Sequence, residues 1–265
     1  MAEADRRIRF HFMKILIDQE GPVTRITLNE PQRRNPLSLK MMDELIGALT
    51  DLSEECQVVV IGGAGPAFSA GHDLTEIVGA DESAIVALFE KCTEMMELIP
   101  AIPQPVIARV QGIAAAAGCQ LVASCDLVVA TETCRFSTPG VKIGLFCSTP
   151  MIPVTRAVGR KRALEMLLTG EPIDAQTAAQ WGLVNRVVPE VDLDAAVDEL
   201  VAAILRSSPA VVGLGKQAFY AQVDVDQHSA YQQTQPVMVK NALMEDAQEG
   251  MGAFLEKRSP NWQGR

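Results

Sequence analysis

Residues 58–73, VVVIGGAGPAFSAGHD, restrict the fold of this 265-residue chain more than any other stretch. Val58, Val59, Val60 and Ile61 form an unbroken apolar run with the length and β-branching of a buried strand. Gly62, Gly63, Gly65 and Pro66 then end regular structure, and Phe68-Ser69-Ala70-Gly71 makes a second turn of small residues. Residues 106–126 repeat the arrangement: Val106 to Val110 reads as a strand, Gln111-Gly112 as a break, and Ala115 to Ser124 as an alanine-rich helix. Two strand ends, each followed by small residues, can turn backbone N–H groups toward one shared point. Donors placed in that way stabilise an oxygen on which negative charge develops.

The remaining pattern organises itself around these two units. Residues 13–18 and 23–28 alternate as strands joined by Gln19-Glu20-Gly21-Pro22. Ser38 can cap a helix that carries Leu39, Met42, Leu45, Ile46 and Leu49 at helical spacing. Glu76 to Glu82 reads as a turn, and Ser83 to Pro100 as an amphipathic helix ended by Pro100 and Pro103. A strand at Leu127 to Ala130 and a short one around Phe136 follow. Helices are expected at residues 149–158, 161–168, 174–180 (capped by Asp174, stopped by Gly182) and 193–206, with Ser208-Pro209 opening another. Strands alternating with helices argue an α/β fold, and a tail without strands argues an appended helical region.

Several segments carry a family resemblance. Phe68 to Leu74 (FSAGHDL) and Gly112 to Leu121 (GIAAAAGCQL) resemble the two signature segments of the enoyl-CoA hydratase/isomerase, or crotonase, superfamily. Asn29 to Leu37 is similar to its N-terminal CoA-contacting turn, Gly170 to Ala175 and Trp181 to Val188 to its later segments, and Phe254 to Pro260 to its usual ending. Within the superfamily the closest likeness is to the enoyl-CoA hydratase domain-containing subgroup, whose glutamates are altered. The resemblance implies a spiral of ββα units, with an acyl-CoA-binding core over residues 1–200 and a C-terminal helical oligomerisation region over 201–265. It also implies a homotrimer or dimer of trimers, and an acyl-CoA or enoyl-CoA thioester as ligand. On this basis the backbone N–H groups of His72 and Ala117 form the oxyanion hole, with Gly118 as the neighbour if the alignment slips by one. Each donor is worth ~3 kcal/mol toward an enolate. Arg33, Arg34, Ala70, Asp73, Leu74 and Lys257 are expected to contact CoA or substrate. No permanently bound cofactor is expected; CoA enters as part of the substrate.

Two departures bear on the chemistry. The family's hydratases carry two glutamates at positions that match Gln120 and Gly140 here. Neither Gln nor Gly titrates usefully, and each lost acid or base lowers the rate by roughly 10²–10⁴. Ordinary hydration is therefore not expected, whereas lyase or isomerase chemistry through an enolate in fatty acid metabolism stays open, as does a non-catalytic acyl-CoA binder. Restoring both acids, Gln120→Glu with Gly140→Glu, is expected to raise hydration. Ala116 and Ala117 replace glycines, which is compatible with the hole as long as their backbone angles are those of ordinary L-residues. Other acid/base candidates are His72, Glu76, Asp81, Glu82, Glu94 and Glu97, while Cys147 reads as a buried, inert thiol bordering the acyl pocket. Asp73 reads as a turn cap or a support for the CoA loop.

Composition narrows the alternatives. A net charge of −10 argues against nucleic acid as the main partner. No apolar run reaches the ~18 residues of a membrane span, and residues 1–12 do not read as a secretory signal. Six cysteines without CxxC spacing suggest a reducing compartment, most simply the cytoplasm. A serine thioester hydrolase using Ser69 lacks the first glycine of the G-x-S-x-G elbow and has only His11 and His228 beside His72. A dinucleotide site at Gly63 to Phe68 lacks its last glycine.

Overall fold

The computed structural model describes residues 7–11 and 14–265. One seven-stranded sheet runs in the order β1 (Arg7–His11), β2 (Ile15–Glu20), β3 (Val23–Leu28), β4 (Val58–Gly63), β5 (Val106–Val110), β7 (Leu127–Thr131) and β10 (Arg186–Val188). β1, β2 and β3 are antiparallel neighbours, and β3 to β10 are parallel. A second, three-stranded sheet joins β6 (Ile113–Ala115), β8 (Arg135–Ser137) and β9 (Ile173–Asp174). The helices are α1 (Leu39–Thr50), α2 (Glu82–Ala101), α3 (Ala117–Ser124), α4 (Met151–Val158), α5 (Arg160–Thr169), α6 (Ala175–Trp181), α7 (Leu193–Leu205), α8 (Pro209–Gln222), α9 (Gln227–Ala242) and α10 (Glu245–Glu256).

β4 is buried along its whole length, which is why its sequence shows no polar alternation. Its side chains still divide by the period of two. Val59 and Ile61 join the core beneath α1, α2 and α3, while Val58 and Val60 pack with Leu193, Val197 and Val201 of α7. Pairing of β4 with β5, Val59 opposite Val106, brings their C-terminal ends together. The loops that follow are then sewn to each other. Phe68 and Ser69 donate their N–H groups to Ile113 O at 3.1 and 3.2 Å, and Ala115 N donates to Ser69 O at 2.9 Å.

The expected α/β architecture is present, and several caps lie where the sequence puts them. Ser38 accepts from Met41 N, Asp174 from Thr177 N, and Ser208 from Val211 N. Other expectations need correction. Met13, expected to open a strand, lies outside the described residues, and the first turn holds only Gly21 and Pro22 because Glu20 still pairs with Val23. β1 is an additional strand on the sheet edge. The helix expected from Ala115 starts at Ala117, since β6 takes Ile113 to Ala115 into register with β8. The boundary expected at residue 200 falls inside α7, whose Val201 is part of the sheet's second core. After β10 every element is helical, with α7 packed on the sheet and α8 to α10 following it. Among the described residues no helix is long and apolar enough to cross a membrane.

Candidate functional site

A cavity of about 620 Å³ opens beside the sewn loops. Its walls come from the 70–75 turn, the start of α3, Phe89 of α2 and the 139–150 segment, with Arg33 and Pro36 at the N-terminal turn. His72 and Ala117 both border it. Ala117 is the first residue of α3, a position whose N–H has no acceptor within its helix and where the helix dipole is positive. Among the described residues neither the His72 nor the Ala117 N–H donates to a protein oxygen. Close approach of the two turns depends on Gly71. It adopts φ +95°, and a Cβ there would meet Ala115 O at 2.9 Å and Ala117 N at 3.2 Å.

Ala116 departs from the ordinary backbone expected of it. Its φ is +49° and ψ −118°, a region that L-residues with a Cβ rarely occupy. Two bonds hold it there: Ala116 N donates to Ser137 O at 2.9 Å, and Ala116 O accepts from Gln120 N at 3.0 Å. The turn thus keeps a glycine-like geometry with a methyl group facing the cavity.

Asn35 fixes the N-terminal turn against this region. It is fully buried with φ +52°, and its side-chain Nδ2 donates to Ala64 O, Ala67 O and Phe68 O at 2.9, 2.9 and 3.1 Å. Its Oδ1 accepts from Glu30 N at 2.8 Å, and its main-chain O accepts from Ser69 Oγ at 2.8 Å. Ala70 N donates to Arg34 O, and Leu37 N to Gly71 O. Asn35 lies in the Asn29–Leu37 segment, whose pattern alone assigns it no role; the tolerance of Asn for positive φ is the signal that points to it. The same bonds bury the Ser69 hydroxyl, which does not border the cavity and cannot serve as a nucleophile there. His228 is exposed on α9, bonded to Gln232.

Arg33 and Asp73 form a bidentate pair, with Nη1–Oδ2 at 2.8 Å and Nη2–Oδ1 at 2.9 Å. Asp73 also accepts from Thr75 N and Thr75 Oγ1, capping a short 3-10 helix over Leu74–Glu76. The Arg33 guanidinium and these hydrogen bonds hold its carboxyl down at about 2 despite burial. Arg34 is exposed, and Ala70 and Leu74 border the cavity. Lys257 instead caps α10 in a left-handed conformation and is not among the cavity's lining residues.

Burial lowers the pKa of the His72 imidazole and so favours its neutral form. Nδ1 lies 3.2 Å from Leu37 O, which only accepts, so the proton is on Nδ1. Nε2 is buried with no hydrogen-bond partner among the described residues, beside the edge-on Phe89 ring, and burial lowers the pKa. That lone pair is covered by protein and does not open onto the cavity.

The two altered glutamate positions differ in kind. Gln120 does not border the cavity; it is buried against α2, where the Cys92 thiol donates to its Oε1 at 3.9 Å. Gly140 does border the cavity, but a Cβ there would lie 1.9 Å from Leu145 O and 2.9 Å from Cys147 Sγ. The turn that closes on Gly140 (Leu145 N donating to Gly140 O at 2.9 Å) occupies the space a glutamate would need. The expected restoration by Gly140→Glu is therefore sterically blocked. Cys147 faces the cavity as a thiol whose pKa is raised by burial. The other acid candidates are engaged elsewhere: Glu76 accepts from Leu39 N, Asp81 caps α2, and Glu94 pairs with Lys91. Glu82 and Glu97 are likewise not among the residues lining the cavity. Among the described residues no cluster of three His, Cys, Asp or Glu side chains could hold a metal.

Fold and cavity together define a crotonase-type protein, and residues 18–265 match the enoyl-CoA hydratase/isomerase family, to which this chain belongs. It is 47% identical over 93% of its length to the mitochondrial enoyl-CoA hydratase domain-containing protein 3 of Danio rerio, covering 86% of that protein. The crystal structure of the human enoyl-CoA hydratase domain-containing protein 3 superposes with a TM-score of 0.92 at 45% identity, over 94% of this chain and all of that one. A 35% identical relative, over 95% of this chain and 99% of its own, is the 2,3-dehydroadipyl-CoA hydratase of Escherichia coli. The cytoplasmic expectation does not stand. The Danio protein and its rat, frog, mouse and human counterparts are all named as mitochondrial, which points away from the cytoplasm.

Proposed function

We propose that the cavity binds an acyl-CoA or enoyl-CoA thioester whose carbonyl oxygen takes the hydrogen bonds of the His72 and Ala117 N–H groups. One observation carries this: two residues whose main-chain N–H groups have no acceptor among the described residues, one of them at a helix N-terminus, line the same largely apolar cavity. Polarising the thioester acidifies Cα and stabilises the enolate, so the chemistry is of the lyase or isomerase kind. Hydration through a glutamate pair is not part of it, because position 120 is turned into the core and position 140 has no side chain. Arg34 is the exposed cation for CoA phosphates, Arg33 being held by Asp73. The Phe219, Tyr231, Met238, Phe254 and Leu255 side chains exposed on α8 to α10 support self-association as a homotrimer or dimer of trimers. In such an assembly Lys257 serves a neighbouring subunit's CoA.

A second reading, a non-catalytic acyl-CoA binder, is favoured by the absence of an accessible base among the described lining residues. Incubation with butyryl-CoA in deuterated water, and with crotonyl-CoA, separates the two. Exchange of the α-protons without hydration supports enolate chemistry, and tight binding with neither supports the binder. No binding of either ester refutes both.

A further inference from the structure

We propose that the cavity selects acyl chains that are uncharged along their whole length and turns away those ending in a carboxylate. This rests on the thioester reading above and adds the class of substrate. The only charged residues bordering the cavity, among those described, are Arg33 and Asp73, and they neutralise each other through two hydrogen bonds. Using Arg33 to hold a terminal carboxylate would strip Asp73 of its partner and set two anions side by side. His72, the other titratable nitrogen group on the wall, has its Nδ1 proton committed to Leu37 O, and its burial favours the neutral ring.

The rest of the wall offers no compensation. Leu74, Phe89, Ile143, Leu145 and Phe146 present apolar surface; the Thr75 and Ser148 hydroxyls already donate to Asp73 Oδ1 and Phe146 O, and that of Thr149 can hydrogen-bond a carboxylate but not neutralise it. Lys142 precedes the wall residue Ile143, but its ammonium is engaged by Glu171 at 2.7 Å. A carboxylate drawn into such a cavity loses water and finds no counter-charge. The Escherichia coli relative is named for a dicarboxylic thioester; on this wall chemistry that substrate does not carry over, although the fold does.

The test is calorimetric titration of the full chain with hexanoyl-CoA, adipyl-CoA (the same six carbons ending in a carboxylate) and free CoA. Hexanoyl-CoA is expected to bind at least tenfold more tightly than adipyl-CoA. A ratio below tenfold overturns the inference while leaving the thioester reading intact. Failure of all three to bind removes the thioester reading and the inference with it. Ile143 is 63% exposed, so Ile143→Lys leaves the core unaltered and adds a cation to the wall. It is expected to reduce the hexanoyl-to-adipyl affinity ratio at least fivefold, and an unchanged ratio also overturns the inference.

Discussion

Replacing Gly140 by alanine tests the most restrictive piece of geometry in the site. The added methyl carbon would stand 1.9 Å from Leu145 O and 2.9 Å from Cys147 Sγ. Because the closer obstacle is backbone, no rotamer change relieves it, and the two segments must separate by about 1.5 Å to reach an ordinary contact. Overpacking of this kind costs about 1–3 kcal/mol. Stretching the Leu145 N to Gly140 O bond adds about 0.5–1.5 kcal/mol. A total near 3 kcal/mol corresponds to a Tm lower by roughly 5–10 °C in a chain of this size. Urea unfolding followed by tryptophan fluorescence, with calorimetry, measures it. Gly47→Ala, in the middle of α1 with nothing within 4 Å of the new methyl, is the control and should stabilise by about 0.5–1 kcal/mol. If Gly140→Ala unfolds at the wild-type midpoint, the 139–147 turn has another shape, and the argument that no glutamate fits there fails.

Two further outcomes follow from the same region. Ala116→Gly removes the methyl from a φ of +49°, a strain of about 1–3 kcal/mol, against about 0.5–1 kcal/mol of added unfolded-state entropy. The net expectation is a stabilisation of about 1 kcal/mol, read as a rise in Tm, and a fall would show that the methyl's packing outweighs the strain. Asp73 has a carboxyl pKa depressed to about 2, so its contribution to stability is fully present above the unfolded value near 3.8 and is lost as pH falls toward about 2. Asp73→Asn should therefore flatten the acid limb of a circular-dichroism unfolding curve between about pH 4 and pH 2; an unaltered limb would refute the pairing with Arg33.

Local signals were legible wherever a short segment determines its own geometry. Ser38, Asp174 and Ser208 could be read as caps because an N-cap depends on residues two or three positions away. The run at Val58 announced a strand covered on both faces. What the sequence did not disclose depends on partners far along the chain. β6 is a strand because β8 lies beside it, and without that pairing Ala115 reads as helix. Asp73 meets Arg33 across forty residues. Whether Gly140 marks a lost acid or a place where no side chain fits depends on Leu145 folding back, which no spacing rule reveals. Ala116 shows the converse: propensity argues for an ordinary helix start, and the bonds to Ser137 and Gln120 override it.

The Asn35 carboxamide has two N–H hydrogens but serves three carbonyls, so at least one hydrogen is shared. A single side chain thereby acts as a rivet between the 30–35 and 64–68 loops, which follow the adjacent parallel strands β3 and β4. Neither loop is a separable cassette. Grafting one of them from a homologue without its counterpart would import half a joint, so changes of ligand preference built from loop exchange in this scaffold have to move both together.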